Sequence, residues 1–549
     1  MNSFERALRP LVPAAVASLL FVTNATAGPI DASVYRKHVA KLASDEFEGR
    51  KPGTVGETRT LEYLEAEFRK LGLEPGNGAS FLQEVPMVEI TAAPDASLRF
   101  TTGTDVAHLK FRDDMVIWTK RVKETESLTA SPLVFVGYGV TAPEFGWDDY
   151  AGIDMRGKTA VILVNDPGFI TKDESLFRGR AMTYYGRWTY KYEEAARRGA
   201  AAAIIVHQTE PASYGWGTVV NSWSTPQLDQ ETAEGNAGRV GVEGWITEAA
   251  AQKLFAANGG SFQDAVQRAN RRGFRAELLS STASASLRNT IRRAKSYNVA
   301  ARLAGKKRPA ETIVYMAHWD HLGRLPDCSG DCVFNGAVDN ATGTAGLIAL
   351  ADAFARAPRK PGRSILFLAV TLEESGLLGS AYYVDNPLFP LASTVAAINM
   401  DAMHFGGPTR DVTVIGFGAS ELEKPLATAA RKQGRVLTPD PTPEKGSFFR
   451  SDHFNFAKRG VPALYIKGGI DDRERGALWR QKYLAEFTTE NYHQVGDNYS
   501  PDADLRAGAD DLDLLYAVGS QLAAEKTFPN WNADSEFRTA RDRARASGH

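Results

Sequence analysis

The chain has 549 residues, enough for three or four domains at about 150 residues each. Hydrophobic residues make up 43% and charged residues 24%, a composition that excludes a wholly disordered, collagenous or coiled-coil protein. The 64 Lys and Arg residues nearly balance the 66 Asp and Glu residues, and the formal net charge of −2 provides no basic field for nucleic acid. Any partner must therefore be recognised by local sites.

The first residues have the pattern of a secretory signal peptide. Two arginines precede an apolar run from Leu11 to Val22, and the small residues Ala25 to Ala27 follow it. A membrane anchor is the weaker interpretation, because the run is too short to span about 30 Å of hydrocarbon and Pro13 interrupts it. We predict a signal peptide over residues 1–27 and a secreted or periplasmic mature protein without a stable membrane anchor.

Two helices are predicted at the start of the region 28–127. Apolar residues recur at helical spacing over residues 31–73, and Gly72 ends the second helix. Short strand-like runs follow, without a sharp boundary. We assign this region to the N-terminal part of the domain that resumes after residue 285.

The sequence changes in character near residue 128. Buried strands are predicted at 132–139 and 158–164, and a helix at 190–198 precedes another apolar run at 200–206. This alternation predicts a compact α/β unit, which we place at residues 128–270. A Ser/Ala-rich stretch, which we interpret as a connector, follows it.

Alternating strands and helices over residues 285–527 predict a largely parallel sheet covered by helices. The tail 528–549 is polar and charged, and we expect loose order there. The strand-like runs of the larger domain lie at 299–303, 312–317, 365–370, 395–400, 412–415 and 463–466.

The chain contains two cysteines, Cys328 and Cys332, separated by three residues. An oxidising compartment favours a disulfide between them. A soft-metal site is the weaker alternative, because no histidine pattern supports it.

Potential metal ligands follow several of the predicted strands. In open α/β sheets, ligands bind beyond the carboxyl ends of strands, so these side chains are expected to meet. Carboxylates gathered in one pocket repel each other unless a cation compensates them, and mixed imidazole and carboxylate ligands suit zinc, with cobalt or manganese as alternatives. The motifs are His318-Trp-Asp320-His321, Val338-Asp339-Asn-Ala-Thr-Gly343, Glu373-Glu374, Asn399-Met-Asp401 and Tyr492-His493.

These five motifs, in this order, resemble the two-zinc aminopeptidases of the M28 metallopeptidase family, specifically members with an inserted protease-associated domain. The resemblance implies an α/β fold, an α/β/α sandwich around a mixed, mostly parallel sheet, with the protease-associated domain at residues 128–270. It also implies an exported enzyme that removes N-terminal residues from peptides, using a water molecule activated by two zinc ions.

The resemblance also implies the role of each residue. Glu373 is the general base, and Asp320 is placed to orient His318. No ligand role is carried over to His321. The implied metal ligands are Asp339, bridging both ions, His318 and Asp401 at one ion, and Glu374 and His493 at the other.

Two alternatives to the aminopeptidase remain open. A carboxypeptidase of the same fold would need an arginine for the substrate carboxylate, and Arg450 is the candidate. A receptor-like binding protein without catalysis would keep the fold, although it gives no reason to retain Glu373 and all five ligands. Side-chain specificity and oligomeric state are not encoded in these patterns.

Overall fold

The computed structural model describes residues 28–325 and 328–546. The predicted signal peptide, residues 1–27, lies outside the described residues. The described chain forms two large β-sheets that share one long strand, Glu277–Leu303, called here the linking strand, and two small two-stranded sheets. Within the described ranges, we find no helix of the length and apolar character needed to cross a membrane.

The main sheet is mixed, with parallel strands at its centre and antiparallel neighbours on both sides. The short strand Glu74–Pro75 pairs with the end of the linking strand. Across the sheet the order is Gln227–Asp229, Leu82–Ala92, the linking strand, Arg363–Val370, Arg308–His318, Thr394–Asn399, Ala463–Gly468, Asp411–Ile415 and Val436–Pro439.

Helices cover both faces of the main sheet, because its central strands are apolar and buried along both faces. One face packs against Ala32–Leu42, Val55–Lys70, Thr342–Arg356, Glu423–Lys432 and Arg506–Ala524. The other packs against Leu378–Asp385 and His453–Lys458. The predicted α/β/α sandwich is therefore confirmed.

The second sheet runs from the edge strand Asp105–Leu109 to the edge strand Met115–Trp118 and includes the first 12 residues of the linking strand. Its core contains two parallel, fully buried strands, Thr159–Leu163 and Ala202–His207. The other members are Ser97–Thr102, Asp105–Leu109, Thr125–Phe135 and Val242–Thr247. Helices Pro167–Thr171, Trp188–Arg197, Thr209–Ala212, Trp216–Trp223, Glu248–Ala257 and Phe262–Ala269 belong to the same part of the chain.

The second sheet extends beyond the predicted limits of the inserted unit, residues 128–270. Strands at 97–118 join it ahead of residue 128, and residues 277–288 join it after residue 270. Local periodicity indicates a strand, but the sheet that the strand joins depends on partners distant in sequence. The Ser/Ala-rich stretch is likewise a strand and not a connector, because its alternate residues, among them Ala283 and Ala285, are buried.

The C-terminal segment packs against the main domain, unlike the loosely ordered tail expected at 528–549. Trp531 is fully buried, and its indole Nε1 donates a hydrogen bond to the Gly460 carbonyl at 2.9 Å. The helix Arg538–Ala546 follows, and the buried Arg541 donates to the Thr394 carbonyl. A few well-spaced aromatic residues thus anchor a segment whose average composition is polar.

One more helix, Gly476–Glu486, leads into the loop that carries His493. Cys328 and Cys332 form a disulfide, with Cα atoms 5.9 Å apart, in a loop that contacts the residues after His493. Asp331, between the two cysteines, accepts a hydrogen bond from the Asn498 amide at 2.7 Å. The disulfide therefore shapes a loop that contacts the His493 loop.

Candidate metal centre

The sequence-predicted ligands meet at the carboxyl ends of the central parallel strands. His318 is the last residue of its strand, and the pairing of parallel neighbours brings the following loops together at the same sheet edge. Glu373 and Glu374 follow the strand that ends at Val370, and Asp401 follows the strand that ends at Asn399.

Asp339 lies in a short irregular segment, Ala337–Ala341, immediately before the helix Thr342–Arg356. The Asp339–Asn340 peptide bond is cis. The buried Asp497 carboxylate accepts hydrogen bonds from the backbone N–H groups of Val338 at 2.9 Å and Asp339 at 3.0 Å. The loop after His493 therefore fixes the backbone that presents the Asp339 carboxylate.

The two carboxylate oxygens of Asp339 face two different histidines. Its Oδ1 lies 3.2 Å from His318 Nε2, and its Oδ2 lies 3.2 Å from His493 Nε2. Each histidine has a second carboxylate beside it: Asp401 Oδ1 is 3.5 Å from His318 Nε2, and Glu374 Oε2 is 3.0 Å from His493 Nε2. Asp339 thus joins two imidazole–carboxylate pairs.

These residues fit metal ions. The Nε2 atoms of His318 and His493 are buried and have no hydrogen-bond partner among the described residues, although each faces carboxylate oxygens. The ligand atoms of His318, Asp339 and Asp401 all lie within 4.8 Å of one another. Buried carboxylates at this density repel unless cations compensate them, and oxygen and imidazole nitrogen are ligands that zinc prefers.

The tautomer of His318 is set by a backbone carbonyl. His318 Nδ1 lies 3.1 Å from the Asp320 main-chain oxygen, which can only accept a hydrogen bond. Nδ1 therefore carries the proton, and Nε2 presents a lone pair towards Asp339. The sequence interpretation gave this orienting role to the Asp320 carboxylate, but Asp320 Oδ1 is 3.9 Å from Nδ1 and instead accepts from the Glu373 backbone N–H at 3.2 Å.

Glu373 and Glu374 occupy different electrostatic environments, although they are consecutive. Burial raises the pKa of Glu373 well above its usual range, and its carboxylate makes no hydrogen bond or ion pair with another described residue. Burial is also the largest influence on Glu374 and raises its pKa, but the charges of His493 and His321 and the hydrogen bond with His321 together lower the pKa of that carboxyl. Glu373 is thus the free carboxylate of the pair, and Glu374 is engaged with histidine.

His321 is a site residue to which the sequence interpretation gave no role. Its Nδ1 lies 2.5 Å from Glu374 Oε1, so Glu374 lies between His321 and His493. Its side chain is fully buried, and its Nε2 has no hydrogen-bond partner among the described residues. The only sequence clue is its position three residues after His318, at the same strand end.

Two other residues support the centre without an evident sequence motif. Arg50 is buried and donates hydrogen bonds to the carbonyls of Trp319 and Gly336, at 2.9 and 3.0 Å. Tyr465 donates from its hydroxyl to the Asp401 carbonyl at 3.3 Å. Both residues hold the backbone that carries the predicted ligands. They could not be found from a local motif, because their contacts are with residues distant in sequence.

The centre opens into a cleft of about 790 Å³. Glu373, Glu374 and His493 line the cleft, together with residues of the second sheet's helices, including Trp188 and Trp223. Arg450 also lines the cleft, where its Nη2 donates to Ser213 Oγ at 3.3 Å.

Residues 298–511 match the model of peptidase family M28, and this part of the chain is a peptidase family M28 domain. Over 207 residues the chain is 28% identical to leucine aminopeptidase 2 of Trichophyton equinum, and a similar match is made to leucine aminopeptidase 2 of Trichophyton tonsurans. The matched region covers 35% of this chain and 40% of the length of each relative.

Two solved structures align with most of the chain. An aminopeptidase from Aneurinibacillus sp. strain AM-1 is 20% identical, with a TM-score of 0.48 and coverage of 91% of this chain and 95% of the other. A zinc aminopeptidase from Bacillus subtilis is 18% identical, with a TM-score of 0.41 and coverage of 89% and 94%.

Proposed function

We propose that the protein is a zinc-dependent aminopeptidase with a two-ion centre. The observation that carries the proposal is the position of Asp339, whose two oxygens face His318 and His493 separately, each 3.2 Å away. One ion would be held by His318, Asp339 and Asp401, and the other by Asp339, Glu374 and His493. The family match and the aminopeptidase relatives support the choice of peptide as the substrate.

The reaction proposed is hydrolysis of the first peptide bond. Bound zinc supplies Lewis acidity, which polarises the scissile carbonyl and lowers the pKa of a water molecule. Glu373, the carboxylate without a partner, accepts the proton of the attacking water and delivers it to the leaving amine. His318 and His493 would hold the ions through Nε2, and the cleft would hold the peptide chain.

Mass spectrometry of digested peptides tests this function. Zinc-loaded protein is incubated with an unblocked peptide of about ten residues and with its N-acetylated form, beside the Glu373→Gln variant. We expect stepwise loss from the amino end of the free peptide only, and no loss with the variant. An unblocked peptide left intact by zinc-loaded protein would contradict the proposal.

A carboxypeptidase is the second candidate, because Arg450 lines the same cleft as Glu373. An arginine there can bind a terminal carboxylate. The same digestion separates the two, since a carboxypeptidase would shorten the acetylated peptide from its carboxyl end.

We also propose export to the periplasm or the extracellular medium. The signal-peptide pattern of residues 1–27 and the bonded Cys328–Cys332 pair support an oxidising compartment. N-terminal sequencing of protein from a fractionated culture tests this, and we expect the mature chain to begin at Gly28. Full-length chain recovered only from the cytoplasm would contradict export.

A further inference from the structure

Two arginines in the cleft have no acidic partner. We propose that Arg187 and Arg450 form a carboxylate-binding subsite, so that the enzyme prefers peptides with a carboxylate a short distance after the cleaved bond. This inference rests on the proposed function and specifies its substrate class. The carboxylate can belong to an acidic side chain or to the carboxyl terminus of a short peptide.

The environment of Arg187 is the stronger evidence for the subsite. Its Nε is buried and has no hydrogen-bond partner, and no carboxylate within the described residues forms an ion pair with it. Burial, with a smaller effect from the nearby positive charge of Arg450, lowers its pKa to about 9. The guanidinium therefore stays charged at neutral pH while it lacks a counter-ion.

Two fully buried arginines of the described chain, Arg50 and Arg363, have guanidinium groups that are satisfied by protein partners. The guanidinium of Arg50 donates to four backbone carbonyls, and that of Arg363 pairs with Glu311 at 2.5 Å. A buried charge is costly unless it is paired or hydrogen-bonded. Arg187 is partly buried and lies 5.8 Å from the centroid of the Trp188 ring, but it has no such polar partner among the described residues.

Several acids of the cleft already have partners, whereas Glu373 has none among the described residues and belongs to the proposed centre. Asp229 pairs with Arg239 and Lys120, both at 3.3 Å, and Glu243 accepts from the Trp118 indole at 3.1 Å. Within the described ranges, the only hydrogen bond of the Arg450 side chain is the one to Ser213 described above, and this side chain is exposed and lines the cleft. No ion pair joins a carboxylate of the described residues to Arg187 or Arg450, which leaves a bound molecule as the source of an anion.

A carboxylate is the anion that matches both the subsite and the centre. Planar guanidinium groups bind carboxylates through paired N–H donors. Arg187 and Arg450 line the same cleft as Glu373, Glu374 and His493. A peptide whose scissile bond lies at the centre can thus extend its carboxylate along the cleft to the arginines.

Two matched substrate pairs test the subsite. The tripeptide Leu-Ala-Ala is compared with its C-terminal amide, and Leu-Glu-Ala amide is compared with Leu-Gln-Ala amide. We expect kcat/KM to be higher for the acidic member of at least one pair, by about tenfold or more, mainly through KM. The pair that shows the difference identifies the source of the carboxylate.

The variants Arg187→Gln and Arg450→Gln should bring this ratio towards one. Arg156→Gln is the matched control, because Arg156 is an exposed arginine of the same domain that pairs with Asp154. Circular dichroism checks folding, and the exposed Arg450 keeps the test valid if Arg187→Gln is unstable. Equal kcat/KM within both pairs, or ratios that both variants retain, would overturn the subsite.

Binding separates failure of the subsite from failure of the proposed function. Calorimetry measures the affinity of the Glu373→Gln protein for Leu-Ala-Ala, Leu-Glu-Ala amide and their neutral counterparts without turnover. Tighter binding of an acidic member supports the subsite even when no peptide is cleaved. Equal affinity within both pairs would reject the subsite while leaving a peptidase activity intact.

Discussion

His321 shows how a single side chain can position a neighbouring carboxylate, that of Glu374, which is one of the proposed metal ligands. Its Nδ1 holds Glu374 Oε1 at 2.5 Å, while Glu374 Oε2 faces His493 at 3.0 Å. Hydrogen bonds to ligating carboxylates fix their orientation, and losing such a partner typically costs 10- to 100-fold in metal affinity, as an order of magnitude. His321 is therefore a positioning residue of the proposed centre.

Replacing His321 with alanine should weaken zinc binding by roughly 10- to 100-fold. His321→Asn should recover part of the affinity, because its side-chain amide can donate to Glu374 near the position of Nδ1. Competition with a fluorescent zinc chelator measures the dissociation constants of both variants. The prediction fails if His321→Ala binds zinc as tightly as the unmodified protein.

Residue identities in the centre could be predicted to a large extent from sequence. Single histidines and carboxylates are uninformative alone, but their recurrence after successive apolar strands places them at one sheet edge. The contact of His321 with Glu374 could not be predicted in this way, because it depends on side-chain directions. The same limit applies to Asp320, whose backbone oxygen, and not its carboxylate, lies closest to His318 Nδ1.

At the scale of elements, the loop that ends at Asp497 holds the irregular segment before the helix Thr342–Arg356. The Asp497 carboxylate accepts from two buried backbone N–H groups, those of Val338 and Asp339. Asp497→Ala leaves these donors without partners, at a cost of about 1–3 kcal/mol for an unsatisfied buried group. Urea unfolding of the zinc-free protein measures this loss.

Asp497→Asn retains one carbonyl oxygen and should be less destabilised than Asp497→Ala. Asp502→Ala is the control, because Asp502 is exposed in the same region. Equal unfolding free energies for Asp497→Ala and the control would show that the loop does not hold the segment.

The contact between the first two helices predicts a pH dependence. His38 in Ala32–Leu42 is buried, and its Nδ1 lies 2.6 Å from the Tyr63 hydroxyl of Val55–Lys70. Burial lowers the pKa of His38 from 6.5 to about 4. Between these two pH values the unfolded chain binds more protons than the folded chain. The stability that the protein has with a neutral, buried His38 is therefore complete above pH 6.5 and decreases as the pH falls towards 4.

His38→Gln should therefore reduce the slope of the unfolding free energy against pH between about 4 and 6.5. Chemical unfolding at a series of pH values measures the slope. His108→Gln serves as the matched control, because that side chain is exposed. An unchanged slope in His38→Gln would contradict the assignment.

The positions of strands in the larger domain could be predicted from the sequence more accurately than the limits of the domains. The predicted strands of the larger domain are all strands in the structure, because long apolar runs between turn residues have few alternatives. The linking strand is different, since its residues 277–288 and 289–303 belong to two sheets. No local pattern indicates that division, which depends on the partners available on each side.

At the scale of the whole molecule, the centre connects parts of the chain that are otherwise separate. Its proposed ligands come from three strand ends, the start of a helix and the His493 loop, spanning residues 318–493. Without cations, the convergence of Asp339, Glu374, Asp401 and the neighbouring Glu373 is repulsive. Bound zinc should therefore stabilise the fold as well as the active site.

Chelation should lower the melting temperature of the entire protein. At free zinc about 1,000-fold above its dissociation constant, one site contributes about 4 kcal/mol. In a domain of 150–250 residues, 1 kcal/mol shifts the melting temperature by roughly 2–4 °C, so a loss of about 10 °C is expected. Differential scanning calorimetry before and after removal of zinc by a chelator measures the shift, and added zinc should reverse it.

Asp339→Ala supplies the control for this measurement. Because Asp339 faces both histidines, the variant should have lost most of its zinc and should melt at the same temperature with and without the chelator. Zinc content by atomic spectroscopy accompanies each scan. A protein whose melting temperature is unchanged by verified zinc removal would not use these ligands to hold its fold together, and full zinc retention by Asp339→Ala would exclude the bridging role of Asp339.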